Sequence, residues 1–189
     1  SSVKRVERTR EIYYFDILEI EEQDVLFKVG CEAGTYIRKL IHDIGKKLEC
    51  GAHMAELRRT KAGPFTEGTL STLQDLQDAF YYYKNENKEK YLKKIIQPVE
   101  NAVEHLPKVW VFDNAVESLC HGSDLKVPGI SKLNDKIEKN DIIALMTLKN
   151  ELIALGSAKL ASEEIMQIEK GLAVKTEKVF MKPETYKIG

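Results

Sequence analysis

The composition of this chain changes between Pro98 and Pro107, and that change limits the possible folds more than any total does. Upstream, apolar residues recur at helical spacing. Ile37, Leu40, Ile41, Ile44 and Leu48 fall at i, i+3, i+4, i+7 and i+11, one face of a helix over residues 35–48. Leu73, Leu76, Phe80 and Tyr83 line one side of a second helix over 72–84. Downstream, apolar residues come in short runs bounded by turn signals: LKVPGI (125–130), DIIALMTL (141–148), ELIALGSAKL (151–160) and LAVKTEKVFM (172–181). Lys149–Asn150 is a hairpin-length link between the middle two. A short helix over 114–121, with Asp113 as its N-cap, precedes these strands, and another near 162–169 interrupts them. Short strands at close spacing predict a small β-barrel-like domain. The chain therefore reads as two units meeting near residue 100, residues 1–98 and 99–189, in the α+β class.

The first unit opens with two aromatic and β-branched runs, residues 11–20 and 24–31, separated by Glu21-Glu22-Gln23. That pattern predicts a strand pair joined by a short turn. Gly51 to Gly63 reads as an extended segment ending in the turn Gly63-Pro64. Tyr81-Tyr82-Tyr83 sits at helical spacing and is expected to pack in the core and at its rim. Lys84 to Lys94 reads as a solvated helix surface or connection.

The totals exclude several classes. No apolar run approaches the ~20 residues of a membrane span, and no stretch has the pattern of a signal peptide. Cys31, Cys50 and Cys120 are odd in number and far apart, which fits a reducing cytosol, so a cytoplasmic placement is expected. Cys50 and His53 have the spacing of half a zinc site, but no second pair stands at ligand spacing, and no metal is expected. The formal net charge of −1 gives no global sign of a polyanionic partner. Charge is segregated, however. Lys4, Arg5, Arg8 and Arg10 stand against one acidic residue in the first ten positions, and Arg58, Arg59 and Lys61 form a second basic cluster. Segregation of this kind can build a positive face on a neutral protein. The sequence has no initiator Met and begins in that basic stretch, so it reads as a piece of a longer protein.

Two long motifs are more specific. GTYIRKLIHDIG with GAHMAELRRTKAGPF (residues 34–45 and 51–65) resembles the last motif block of the TruB family of pseudouridine synthases. SLCHGSDLKVPGI with GLAVKTEKVFM (118–130 and 171–181) resembles a PUA domain, a small RNA-binding barrel. With HLPKVWVFDNAV (105–116), the resemblance is to the archaeal dyskerin-type branch, whose members are catalytic subunits of H/ACA guide-RNA particles. It covers essentially the whole chain. The resemblance implies a mixed-sheet catalytic domain, present here in its C-terminal part, followed by a PUA barrel. Residues 1–10 would be the remnant of a basic thumb loop, with Lys4 and Arg5 on RNA.

The resemblance also implies a chemistry. These enzymes break the C1′–N1 bond of uridine and rejoin the sugar to C5 of the same base, with no redox change and no cofactor. An aspartate is the essential group, and the arginine of the GTYIR motif, here Arg38, pairs with it. A guanidinium orients a carboxylate through a planar two-pronged pair and lowers its pKa, which lysine does less well. Tyr36, in the same motif, is by the resemblance a second catalytic-site residue. Leu57 matches a wall of the uracil pocket, where the flipped-out base is received. Arg58, Arg59 and Lys61 are suited to phosphates. In the PUA domain, Gly122, Asp124, Lys126, Pro128, Gly129, Gly171, Val174 and Lys175 match positions that grip the 3′ ACA of the guide RNA.

One departure from the family is serious. The turn with Leu-Asp-Pro that carries the catalytic aspartate does not occur in this sequence, and none of Asp16, Asp24 or Asp43 sits in such a motif. Asp43 is expected on a solvated helix flank. The expected partners are guide and substrate RNA (rRNA, and also tRNA if action is guide-independent), the N-terminal half of the same enzyme, a small zinc-ribbon scaffold protein and other particle proteins. A competing reading is a non-catalytic RNA-binding scaffold, against which the retained Arg38 weighs.

Overall fold

The aromatic run near the start of the chain forms an antiparallel hairpin. Strand β1 (Ile12–Glu21) pairs with β2 (Asp24–Cys31), with Glu21 facing Asp24 across a two-residue turn. Glu22 adopts φ 51°, the left-handed backbone such turns require. Phe15 stacks on Phe27 with ring centroids 4.4 Å apart, and Tyr14 lays its ring over Gly30 on the opposite strand. The computed structural model describes residues 9–186. Their contacts divide the chain into a unit ending at Arg58 and a unit beginning at Arg59.

Helix α1 (Ile37–Lys47) follows the hairpin, starting at the first apolar residue of the pattern and two residues later than the expected range. Ile37, Leu40, Ile41 and Ile44 are half-buried as the spacing predicts. Leu48 is instead 68% exposed, because it lies beyond the last helical turn and the backbone turns left-handed at Glu49 and Gly51. Among the described residues before Arg59, only Gly45 is fully buried.

The second unit begins with a small hairpin, β3 (Lys61–Ala62) and β4 (Phe65–Thr66), around the expected Gly63-Pro64 turn. Helix α2 (Leu73–Glu86) starts at a capping box: Asp75 N donates to Thr72 Oγ1 (3.0 Å), and Thr72 N donates to Asp75 Oδ2 (2.8 Å). It ends at Asn87, in the left-handed region, and α3 (Glu89–Ile95) follows. The tyrosine run corrects the expectation of core packing. Tyr81, Tyr82 and Tyr83 are all exposed, and Ala79 is the buried residue of α2. Tyr82 packs its ring 5.0 Å from that of Tyr91 on α3, and Tyr81 meets Tyr82 edge-on.

The rest of the chain forms a six-stranded mixed sheet with two short helices. In chain order these are β5 (Lys108–Val111), α4 (Asp113–Cys120), β6 (Leu125–Lys126), β7 (Ile130–Leu133), β8 (Ile142–Met146), β9 (Leu152–Ala158), α5 (Ser162–Gln167) and β10 (Leu172–Val179). The strands are ordered β6-β10-β9-β8-β5-β7, with β5 and β8 parallel and the other neighbours antiparallel. The two edge strands, β6 and β7, are separated in the chain only by the turn Val127–Gly129, so the sheet curls its ends toward each other. The run LKVPGI is therefore not one strand. Pro128 has no N–H to give a ladder, and the strand breaks there into β6, a 3-10 turn and β7. Strand β5 was absent from the sequence pattern, and α4 begins at Asp113 with Phe112 as N-cap, one residue before the expected cap.

The core lies in this sheet. Val109, Val111, Val116, Leu119, Leu125, Ile143, Leu145, Ile153 and Val174 are all at most 2% exposed. Full burial of one such side chain contributes about 1.5–3 kcal/mol, so the chain's stability is concentrated here. The last described residues are tied back to it. Tyr186 donates its hydroxyl to Glu151, holding that carboxyl below its usual range, and Glu184 N donates to the Glu117 carboxylate. Among the described residues no helix is long and apolar enough to cross a membrane.

Candidate active site and nucleic-acid interface

The GTYIR motif forms the turn into α1. Thr35 donates to the Glu32 carbonyl through both its backbone N (3.2 Å) and its hydroxyl (2.7 Å). Gly34 takes φ 82°, which only glycine adopts without strain. Tyr36 is the N-cap residue, in extended conformation and 80% exposed, and its carbonyl accepts the first helical N–H groups, from Lys39 and Leu40. Arg38 is the second residue of α1. It is exposed, and its guanidinium engages no acceptor among the described residues. Asp43 is already paired. Lys39 binds it at i,i+4 on the outer flank of α1, and that hydrogen bond holds its carboxyl below the ordinary range. It lies on a solvated flank, as expected.

Gly45 carries no signal in the apolar pattern of α1. A Cβ there would fall 2.2 Å from Ala52 N and 2.4 Å from the Gly51 carbonyl carbon. Gly51 N donates to the Gly45 carbonyl (3.0 Å), so the chain doubles back across α1 at this point. A mid-helix glycine costs about 1 kcal/mol relative to alanine, and here the close backbone crossing explains its presence. Gly45→Ala is expected to destabilise the chain by about 1–3 kcal/mol, the range for overpacking, despite alanine's better helix propensity. Chemical denaturation of the two proteins measures this. An alanine variant as stable as the parent would mean the crossing is loose.

The returning segment carries the remaining basic residues. Leu57 is 57% exposed, Arg58 and Arg59 are exposed, and Lys61 opens β3. Leu57 and Arg58 belong to the first unit, Arg59 and Lys61 to the second. Lys4 and Arg5 lie outside the described residues. No group of three or more His, Cys, Asp or Glu side chains among the described residues is placed to hold a metal ion.

On the barrel, several of the singled-out positions do come together. A groove of about 310 Å³ is lined by Ser118, Ser123, Asp124, Lys126 and Gly129 over Leu119 and Leu125. Gly122, at φ 84°, turns the chain from α4 into this groove. A Cβ on Gly129 would meet Leu125 and Ala115 at 3.1 and 3.2 Å. Pro128 stands in the turn between β6 and β7, exposed. The Gly171 carbonyl accepts Val127 N (3.0 Å), and Lys175 is exposed on β10. Val174 differs from the expectation of a gripping residue: it is 1% exposed in the core and lies between Leu125 on β6 and Ala158 on β9.

Thr176 gave no signal in the sequence, yet it fastens the groove. Its N donates to Asp124 Oδ1 (2.9 Å) and its hydroxyl to the Ser123 carbonyl (2.8 Å). One oxygen of Asp124 is thus committed to holding the loop on β10. Gly156 on the neighbouring β9 is the partner of Thr176, and a Cβ there would fall 2.4 Å from the Lys175 carbonyl oxygen.

Residues 38–104 match the tRNA pseudouridylate synthase B C-terminal domain, and residues 107–180 match the PUA domain. The chain is 59% identical over 187 residues to the probable tRNA pseudouridine synthase B of Pyrococcus horikoshii, covering 98% of this chain and 56% of that protein. It is 54% identical over 189 residues to the protein of the same name from Methanosarcina barkeri, covering all of this chain and 56% of the relative. The chain thus spans little more than half the length of these relatives. Among solved structures, it superposes on a chain of a Cbf5-Nop10-Gar1 complex with TM-score 0.91 and 58% identity, covering 98% of this chain and 57% of that one. A chain of an H/ACA RNP bound to a substrate RNA containing 2'-deoxyuridine gives TM-score 0.88 and 57% identity, covering 95% and 57%.

Proposed function

We propose, for a chain that belongs to the TruB family of pseudouridine synthases and holds its C-terminal domain together with a PUA domain, that it is the arginine-bearing, RNA-gripping portion of a guide-RNA-dependent pseudouridine synthase. The observation that carries the reading is Arg38, exposed at the start of α1 within GTYIR and free of any acceptor among the described residues. An aspartate from the N-terminal half of the same enzyme would take both guanidinium prongs, be held ionised, and act at the sugar of a flipped-out uridine. The C1′–N1 bond breaks, the base turns, and C1′ rejoins the base at C5. The C5 proton leaves and N1 ends protonated, so the reaction is an isomerisation that needs no cofactor. Leu57 would wall the uracil pocket and Tyr36 would flank it, while Lys4, Arg5, Arg58, Arg59 and Lys61 hold phosphates.

The division of labour falls near residue 99. Residues 1–98 complete the catalytic domain, with 1–10 in a substrate-closing thumb, and residues 99–189 read the guide. The targets are uridines of rRNA, and tRNA if the enzyme also acts without a guide. The neighbour structures contain Nop10, Gar1 and RNA. That likeness supports H/ACA RNA, substrate RNA and particle proteins as partners of this chain; a small zinc-ribbon scaffold protein among them and a cytoplasmic placement follow from the sequence reading alone.

The groove lined by Asp124, Lys126 and Gly129 supports the guide-reading assignment, because it pairs a cation with a close backbone. The test compares binding of a hairpin ending in 3′ ACA with the same hairpin carrying other bases there. Replacing Lys126 and Lys175 is expected to shrink the difference between the two RNAs. Replacing Arg58 and Arg59 is expected to weaken both about equally and to flatten the salt dependence. An absence of ACA preference in the parent protein would overturn the assignment to the barrel. RNA bound with that preference by the complete enzyme, but never isomerised, would instead favour the scaffold reading.

A further inference from the structure

The proposed function leaves unused the clasp that holds the loop ahead of α1. Glu32 is its hub. Its carboxylate accepts Arg10 Nη1 (3.0 Å, on Oε1) and the backbone N of Glu11 (3.3 Å, on Oε2). Its own N donates to the Glu11 carbonyl (3.0 Å), and its carbonyl receives both donors of Thr35. The Arg10 guanidinium lies against the turn itself: a Cβ on Gly34 would come within 3.3 Å of Nη2. Helix α1 has no capping side chain and no acidic residue in its first turn. Nothing within the helix therefore anchors its N-terminus. The bonds that fix where the helix begins, and so where its second residue projects, converge on Glu32 and Arg10.

We propose that Glu32, clasped by Arg10, is a positioning residue for Arg38. It sets the turn Ala33–Tyr36 rigidly enough for the guanidinium to meet the reacting carboxylate in a two-pronged geometry. The two side chains are 32% and 41% exposed, and an ion pair so open to solvent adds little to global stability. A reacting group displaced by about 1 Å can cost on the order of a hundredfold in rate. Loss of the clasp should therefore be read at the site and not in the melting temperature.

The inference rests on the reading of Arg38 given above, and the test separates the two. In the complete enzyme, assembled with guide and substrate RNA, Glu32→Ala and Arg10→Ala are compared with Arg38→Lys. The measurements are single-turnover rate, substrate-RNA affinity and melting temperature. Each clasp variant is expected to slow the single-turnover step about tenfold, with affinity and melting temperature close to those of the parent. Glu32→Gln, which still accepts the Glu11 N–H, is expected to fall between Glu32→Ala and the parent. The double variant Arg10→Ala/Glu32→Ala is expected to be no slower than the worse single, because both act through one contact. Parent-like rates in the clasp variants alongside a slow Arg38→Lys enzyme would overturn the inference and leave the reading of Arg38 intact. So would rate losses matched by equal losses of RNA affinity or by a fall in melting temperature. A parent-like rate for Arg38→Lys would overturn the reading of the site, and the inference with it.

Discussion

The purified 189-residue chain is expected to form no pseudouridine, and addition of the N-terminal half of the enzyme is expected to restore it. The cause is chemical, because the Leu-Asp-Pro turn that supplies the reacting carboxylate in the family does not occur in this sequence. Misfolding is not needed to explain the loss, since the barrel carries its own buried core. The first unit accounts for the restoration. Among the described residues its sheet has two strands, and Tyr13, Ile17, Leu18 and Ile20 are between 58% and 64% exposed. An isolated hairpin with apolar side chains on its surface is marginal in water and ready to pair with further strands. Mixing the two halves should therefore bury β1 and β2 and bring a carboxylate to Arg38. The measurement is pseudouridine formed in a guide-paired substrate RNA, alongside a thermal melt confirming that the chain is folded. Pseudouridine produced by the chain alone would sink this account.

Arg38→Lys in the complete enzyme is expected to cut turnover by more than tenfold while leaving RNA affinity nearly unchanged. Lysine keeps the charge and loses the fork, so the carboxylate keeps a cation but not a fixed orientation. A tenfold loss corresponds to about 1.4 kcal/mol of barrier, and loss of a charge-assisted bidentate pair in a water-poor site should exceed that. On the proposed assignment RNA affinity would be spread over Lys126, Lys175, Arg58, Arg59 and Lys61, none of which the substitution touches. Single-turnover rates and equilibrium binding separate the two effects. A parent-like rate would make Arg38 an ordinary surface residue, and a matched loss of affinity would make it a phosphate contact.

The sequence carried much of this because its signals were local. The hairpin of β1 and β2, the α1 face from Ile37 to Ile44, the Gly63-Pro64 turn and the β8–β9 hairpin each follow from alternation, helical period or turn residues within a short window. The GTYIR and PUA motifs are long and rigid in spacing, so they identified the family without any coordinates. Other features depended on what another part of the chain does. Strand β5 is four residues long and is a strand because β8 and β7 flank it. The tyrosines of α2 follow a helical pattern but find no core to enter among the described residues, so they stay at the surface. Gly45 reads as a weak helix residue until the returning backbone at Ala52 is seen to occupy the space of its missing Cβ. Thr176 and Glu32 look like ordinary polar residues in the sequence. Their roles come from Asp124 and Ser123 in one case and Arg10 in the other, partners 52, 53 and 22 positions away. Periodicity and motifs report a residue's chemistry and its near neighbours along the chain. Which groups meet across such separations is decided only when tertiary packing brings distant backbone within hydrogen-bond reach.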